Sequence, residues 1–270
     1  MIKKTCDDAI ILSSTYKERT KYLVGFLKHL CISCAKIRNK YRVLPVIVFE
    51  EIEKIKAQKI KKIFDKSNYK VKPLVLINKE SSGFSGCLNF GIKNTISDYI
   101  IRIDTDDLLI SNRITKQIDM MRQKNIDICT GYMKNQDDII LKYPSKLYSL
   151  LFKLALGNNP ISHPTVCIKR ELLQFRYDEN LKRCEDFALW INLFLVKDLK
   201  YHCLKEPLTF YNDLNAYKKD RENAFKKIKI RFKFIIKLSL VLIVLLLGIF
   251  PNIIRLVSGH NLLLKIRRRI

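Results

Sequence analysis

Asp104, Asp106 and Asp107 fall within four residues of one another in IRIDTDDLLISNR, residues 101–113. Three carboxylates this close repel, so a stable fold needs a counter-charge beside them. A divalent cation supplies one, because hard Mg2+ or Mn2+ prefers oxygen ligands and commonly completes its shell with substrate phosphates. Tyr99, Ile100, Ile101 and Ile103 lead into the motif and read as a short buried strand. The carboxylates would then sit at the carboxyl end of that strand, where open α/β sheets place their ligands. The same letters also suit an acidic turn that opens a helix, with Asp107 or Ser111 as its N-cap. The surrounding segments have to discriminate between the two.

Three other segments carry groups able to do chemistry. SSGFSGCLNFGIKN (81–94) holds Asn89 and several glycines, among them Gly83. Glycines allow close backbone approach, and the helix N-terminus they open is an anion site. NNPISHPTV (158–166) carries Asn159 and His163 in a loop fixed by Pro160 and Pro164. There His163 either faces a pocket or satisfies a loop hydrogen bond. CEDFALWINL (184–193) opens an amphipathic helix with Glu185 and Asp186, followed by an apolar set that includes Phe187 and Trp190. Acidic residues in a first turn are favoured by the helix dipole. A carboxylate held on a rigid helix is also suited to take a proton from a hydroxyl as a general base.

The elements that must position these groups alternate. Strands are predicted over 9–13, 43–49, 71–77 and 98–103, with helices over 20–35, 52–64 and 84–94 between them, the last entered through Gly83. This βαβαβαβ order predicts a parallel sheet covered by helices. A helix over 113–123, a strand over 127–131, a helix near 145–156, a strand over 166–169 and the helix opening at Glu185 follow, and read as a second region built onto the first.

The net charge of +25 is unevenly spread: residues 226–270 hold eleven Lys or Arg and no acid. Such a field favours anionic partners, whether nucleotide phosphates, acidic lipids or nucleic acid. No RNA- or DNA-binding motif accompanies it, so nucleic acid is not expected. The eight cysteines have no framework spacing, which points to a reducing compartment. Cys31 and Cys34 end an apolar stripe with Leu23, Phe26, Leu27 and Leu30, and read as core. Residues 9–12, the first apolar run, follow Asp7 and Asp8, unlike a signal peptide, so the catalytic part is expected in the cytoplasm. The uncharged stretch 238–254 is at the short limit for a bilayer span and has basic flanks on both sides. An interfacial or re-entrant segment lying on anionic lipid fits that pattern better than a span. The predicted division is a catalytic domain over 1–218 and membrane-associating helices over 219–270.

In order and spacing, STYKERTKYL (14–23), GFSGCLNFGIKN, YIIRIDTDDLLISNRITKQ, NNPISHPTV and CEDFALW resemble the family 2 glycosyltransferases of GT-A fold. The likeness is to their bacterial exopolysaccharide, capsule and lipooligosaccharide branch, which includes the amylovoran-type galactosyltransferases. It covers roughly residues 10–212. The resemblance implies an α/β, Rossmann-like GT-A domain with a mainly parallel sheet. It also implies a UDP-sugar donor bound with Mg2+ or Mn2+, a glycan or lipid-linked glycan acceptor, and action at the cytoplasmic face of the bacterial inner membrane. By the same resemblance Asp104 would contact the ribose and Asp106 the metal, with Asp107 in support. Tyr16 would lie near the base, and Gly83 and Asn89 in the donor segment. Asp186 would be the catalytic base with Glu185 beside it, Trp190 its packing aromatic, and His163 an acceptor-side residue. The reaction would invert the anomeric centre. Two positions depart from the family pattern. Glu50 stands where the second strand usually ends in aspartate and glycine, and Leu88 where an arginine usually precedes the segment's asparagine. The competing reading is a degenerate GT-A domain that holds nucleotide-sugar or lipid without turnover.

Overall fold

The computed structural model describes residues 7–211 apart from Tyr16, Lys17, Ser82, Ser111, Gly157, Lys182 and Lys197. Strand β1 (Asp7–Ser14), helix α1 (Thr20–Ile37), strand β2 (Val43–Glu50), helix α2 (Lys54–Asp65) and strand β3 (Leu74–Asn78) come first. Helix α3 (Gly83–Lys93) and strand β4 (Ser97–Arg102) complete the alternating half. The helix expected over 52–64 is divided, with a 3-10 turn over Glu51–Glu53 ahead of α2. The third strand starts three residues later than its apolar run suggested.

The remaining chain forms β5 (Leu108–Leu109), α4 (Arg113–Gln123), β6 (Ile128–Lys134), β7 (Ile140–Leu141), α5 (Leu147–Ala155), β8 (Cys167–Lys169), α6 (Glu185–Val196) and β9 (Tyr201–Phe210). These strands extend the first sheet rather than building a separate region beside it. The order runs β3-β2-β1-β4-β8-β6-β9-β5, with β7 attached to β6. Strands β3, β2, β1 and β4 are mutually parallel, as expected. The expected mainly parallel sheet is corrected beyond β4: β8 runs antiparallel to both β4 and β6, so the sheet is mixed. A three-residue strand carries too little pattern for its direction to be read before its partners are known.

Both faces of the sheet are covered, which explains its continuous apolar strands. Side chains alternate along β1: Ala9 and Ile11 join the core under α1, α2 and α4, whereas Ile10 and Leu12 join the core with α3, α5 and α6. Cys31 and Cys34 lie in the first of these cores, and burial pushes the Cys31 thiol up to about 12, so both pack as apolar side chains. A Cβ on Gly91 would strike the Leu12 and Val48 side chains, so this glycine sets how closely α3 approaches the sheet.

Arg113 at the start of α4 is a buried brace. Its guanidinium donates to the carbonyls of Pro164 (2.7 Å) and Arg102 (2.8 Å), to Thr209 Oγ1 (2.8 Å) and to Gln117 Oε1 (2.9 Å). It therefore ties the end of β4 to the 158–166 loop and to β9. Desolvation lowers its pKa to about 10, which still leaves it charged at neutral pH, and Asp107 is among the groups opposing that fall. Arg113→Ala strips these acceptors of a buried charged donor. It is expected to cost roughly 3–5 kcal/mol of stability, read as a lowered urea midpoint at unchanged slope.

Candidate active site

The register of the sheet brings the chemistry-bearing residues to one edge. Leu12 pairs with Arg102, Ser14 with Val48 and Glu50 with Asn78, so β1, β2, β3 and β4 all end at the same rim. Asp104, Asp106 and Asp107 follow β4 directly, and one carboxylate oxygen from each lies within 4.8 Å of the other two. Asp107 is buried, while Asp104 and Asp106 reach the surface. Part of the counter-charge that the sequence required comes from the chain itself. The buried Arg102 guanidinium is ion-paired with Asp104, and Arg113 lies in the field of Asp107. The Arg102 guanidinium also lies 5.0 Å from the Phe84 ring centroid and donates to the Leu12 carbonyl (3.3 Å). The loop after β1 closes on the motif through Glu18, which accepts from Thr105 Oγ1 (2.8 Å).

The donor set fits a hard divalent cation. It offers only carboxylate oxygens, and a cation with ligands at about 2.1 Å spans about 4 Å between opposite oxygens. Only a small side-chain adjustment separates the cluster from that span.

The glycine segment and the acidic pair meet this edge from the α3 and α6 side. Gly83 has φ +85°, a conformation glycine tolerates and most L-residues do not, and its N–H donates to Glu50 Oε1. The Glu50 carboxylate is thus engaged in joining β2 to the start of α3. Asn89 is buried: its Nδ2 donates to the Tyr177 carbonyl and to Glu179 Oε1 (both 2.8 Å), and its Oδ1 accepts from the Tyr177 N–H (3.0 Å). Its hydrogen-bonding capacity goes to pinning the segment before α6. His163 is also buried. Its Nε2 is 2.8 Å from Tyr177 Oη, and its ring packs against Phe84, Tyr177 and Trp190. Burial, then Arg102, depresses its pKa, so the imidazole is neutral. Of the two uses open to His163 in the sequence, the internal hydrogen bond is the one it makes here. Tyr16 lies outside the described residues, as does everything after Tyr211, including the expected membrane-associating helices.

Asp186 and Glu185 open α6 and are half-buried. Asp186 is held from both sides: Asn159 Nδ2 donates to its Oδ2 (2.5 Å) and the Phe187 N–H to its Oδ1 (2.7 Å). Its pKa is nevertheless raised, first by desolvation, with the negative charge of Asp104 adding to the rise. Glu185 is raised in the same way, by desolvation and then by Asp186 and Asp104, with Arg102 opposing. Asp104 acts on both members of the pair. Two motifs some 80 residues apart in sequence therefore share one electrostatic environment. Trp190 is fully buried one turn further along α6, and its Nε1 has no hydrogen-bond partner among the described residues.

Sequence reasoning missed Arg102, Arg113, Glu18 and Tyr177. The signal for the arginines was present, since each interrupts or borders an otherwise apolar element next to the aspartates, and a charge there needs a partner. Glu18 and Tyr177 could not have been found, because only tertiary contacts bring them to this edge.

Comparison with known proteins agrees with this arrangement. The description Glycosyl transferase family 2 matches residues 53–186, a stretch that takes in the glycine segment, the aspartates and the acidic pair. An uncharacterized glycosyltransferase of Methanocaldococcus jannaschii is 23% identical over 236 residues, covering 83% of this chain and 79% of that protein. The UDP-Gal:alpha-D-GlcNAc-diphosphoundecaprenol beta-1,3-galactosyltransferase of Escherichia coli is 30% identical over 121 residues, 42% of this chain. The chain spans less than half of that enzyme, 43%. Among solved structures, S. aureus TarS 1-349 in complex with UDP-GlcNAc superposes with a TM-score of 0.58 at 16% identity, covering 84% of this chain and 66% of that one. That likeness establishes an α/β, GT-A-like fold with a mixed sheet between helices. Motif order, fold and family match agree, and the chain carries a domain of glycosyl transferase family 2.

Proposed function

We propose that this chain is an inverting, divalent-cation-dependent glycosyltransferase that moves a hexose from a UDP-sugar to a hydroxyl of a lipid-linked glycan. The work would take place at the cytoplasmic face of a bacterial inner membrane, with the basic segment 219–270 lying on anionic lipid. The observation that supports the reading is that Asp104, one of three clustered carboxylates, is close enough to Glu185 and Asp186 for its charge to act on both. Support for the donor and acceptor classes comes from the E. coli relative, named for a UDP-Gal donor and a diphosphoundecaprenol-linked acceptor.

Asp104, Asp106 and Asp107 would hold Mg2+ or Mn2+. When bound, such an ion neutralises charge developing on a leaving diphosphate. Arg102 holds Asp104 in place from within the fold. Asp186 takes the proton of the acceptor hydroxyl on a carboxylate oxygen, while Asn159 and the Phe187 N–H fix its orientation. Its raised pKa makes it a stronger base than an exposed aspartate. Attack opposite the departing diphosphate converts an α-linked donor into a β-linked product. His163 packs edge-on against Trp190 and steadies α6.

The test is UDP release from a panel of UDP-sugars with Mn2+, with Mg2+ or with chelator, and with or without a polyprenyl-diphosphate-linked sugar. The expected result is cation-dependent release with one sugar, accelerated by the acceptor. No release from any donor with either ion would instead establish the degenerate, binding-only domain.

A further inference from the structure

Helix α5 (Leu147–Ala155) buries Leu150 and Leu154 in the core, yet its opposite face is apolar too. Tyr148 is 67% and Phe152 64% exposed, with Leu151 and Leu156 exposed beside them. The short strand β7, which precedes α5 in the chain, also exposes Ile140 and Leu141. A helix apolar on both faces needs a second apolar environment, and a cluster of exposed aromatic and aliphatic side chains on one helix face marks an interaction site. Charge narrows the choice of partner. Residues 139–156 contain Lys142, Lys146 and Lys153 and no Asp or Glu, and Lys146 Nζ lies 5.6 Å from the Tyr148 ring centroid. Asp137 and Asp138 lie just ahead of β7, where Lys134 pairs with Asp138 (2.8 Å), so around α5 itself the charges are all lysines, and aromatic and aliphatic side chains set among lysines complement an anionic lipid surface.

The position of α5 relates this surface to the site. Pro144 ahead of the helix accepts from Tyr201 Oη (2.7 Å), and the Asn158 N–H after it donates to the Lys153 carbonyl (2.9 Å). The next residue is Asn159, which holds Asp186. The path from the exposed face of α5 to the base is therefore short and tied at both ends.

We propose that the outer face of α5, continued by β7, docks the domain on an anionic lipid bilayer, on the side from which a lipid-linked acceptor reaches Asp186. The docking itself stands apart from the proposed transfer reaction; only the presentation of an acceptor rests on that reading. This surface is distinct from the basic segment 219–270, and the two would act together.

Phe152→Trp in the full chain gives a local reporter, because the single native tryptophan, Trp190, is fully buried. With vesicles of phosphatidylglycerol its emission is expected to shift to the blue and to be quenched by brominated phosphatidylglycerol, with little change on phosphatidylcholine. Tyr148→Ser combined with Phe152→Ser should weaken partition onto phosphatidylglycerol vesicles by about tenfold or more. UDP release in the absence of lipid should stay the same. Two results overturn the proposal: Phe152→Trp emission that vesicles leave unchanged, including emission already shifted to the blue without lipid because protein covers the face, or undiminished partition of the double serine variant. Failure of the transferase reading would appear separately, as absent UDP release with the lipid response intact.

Discussion

Asp106→Asn is expected to abolish sugar transfer and to weaken binding of a UDP-sugar together with Mn2+ by at least about tenfold. An amide keeps the shape of the side chain but is a poorer ligand for a hard cation than a carboxylate. Losing charge stabilisation of this kind at a reacting centre commonly costs about 10²–10³ in rate. Each neighbouring carboxylate has a specific relation to the fold: Asp104 is paired with buried Arg102, and Asp107 is buried in the field of Arg113. Changes at Asp104 or Asp107 should therefore disturb folding as well as ion binding. Titration calorimetry with Mn2+ and UDP provides the check. Unchanged affinity in Asp106→Asn would move the assignment of the ion to Asp104 and Asp107.

The second large effect concerns the base. Asp186→Asn should lower kcat by ~10²–10⁴ with little change in UDP-sugar affinity, the pattern of a group whose contribution is made mainly in the transition state. Glu185→Gln should be milder. The pH profile adds a signature that a purely structural role would not produce. Burial is the first cause of the raised Asp186 pKa and persists when a cation sits on Asp104, so the protonated, inactive form of Asp186 persists to higher pH than for an exposed aspartate. Activity should fall as pH drops through that raised value, placing the acidic limb higher than an exposed aspartate would. The Asn159 hydrogen bond favours the charged form and opposes the rise. Asn159→Ala should therefore move the limb to still higher pH while leaving the alkaline side in place. If Glu185→Gln proved inactive and Asp186→Asn nearly normal, the roles of the pair would be exchanged.

Much of this architecture is written locally. The α4 boundaries at Arg113 and Gln123 and the start of α6 at Glu185 coincide with their apolar periodicity, because each helix shows one face to a core and the other to water. The parallel order of the first four strands follows from their alternation with helices. The aspartates, the glycine segment and the acidic pair could be picked out by residue type and spacing alone, since charge repulsion and backbone freedom act between near neighbours.

What only the tertiary structure decided involves partners distant in the chain. Strand β9 (Tyr201–Phe210) is the longest in the sheet, yet it carries Lys205, Glu206 and Pro207 and pairs with β6 through irregular register, so no period-2 signal announces it. Strands β5 and β7, at two residues each, are too short to have a period. Asn89 and His163 look, by residue type, like groups for a ligand, but their hydrogen bonds go to residues 177 and 179. A polar group removed from water must find a partner, and which partner it finds depends on which segments the sheet brings together. For the same reason the counter-charges Arg102 and Arg113, and the influence of Asp104 on Asp186, arise only once β4, α4 and α6 converge on one rim.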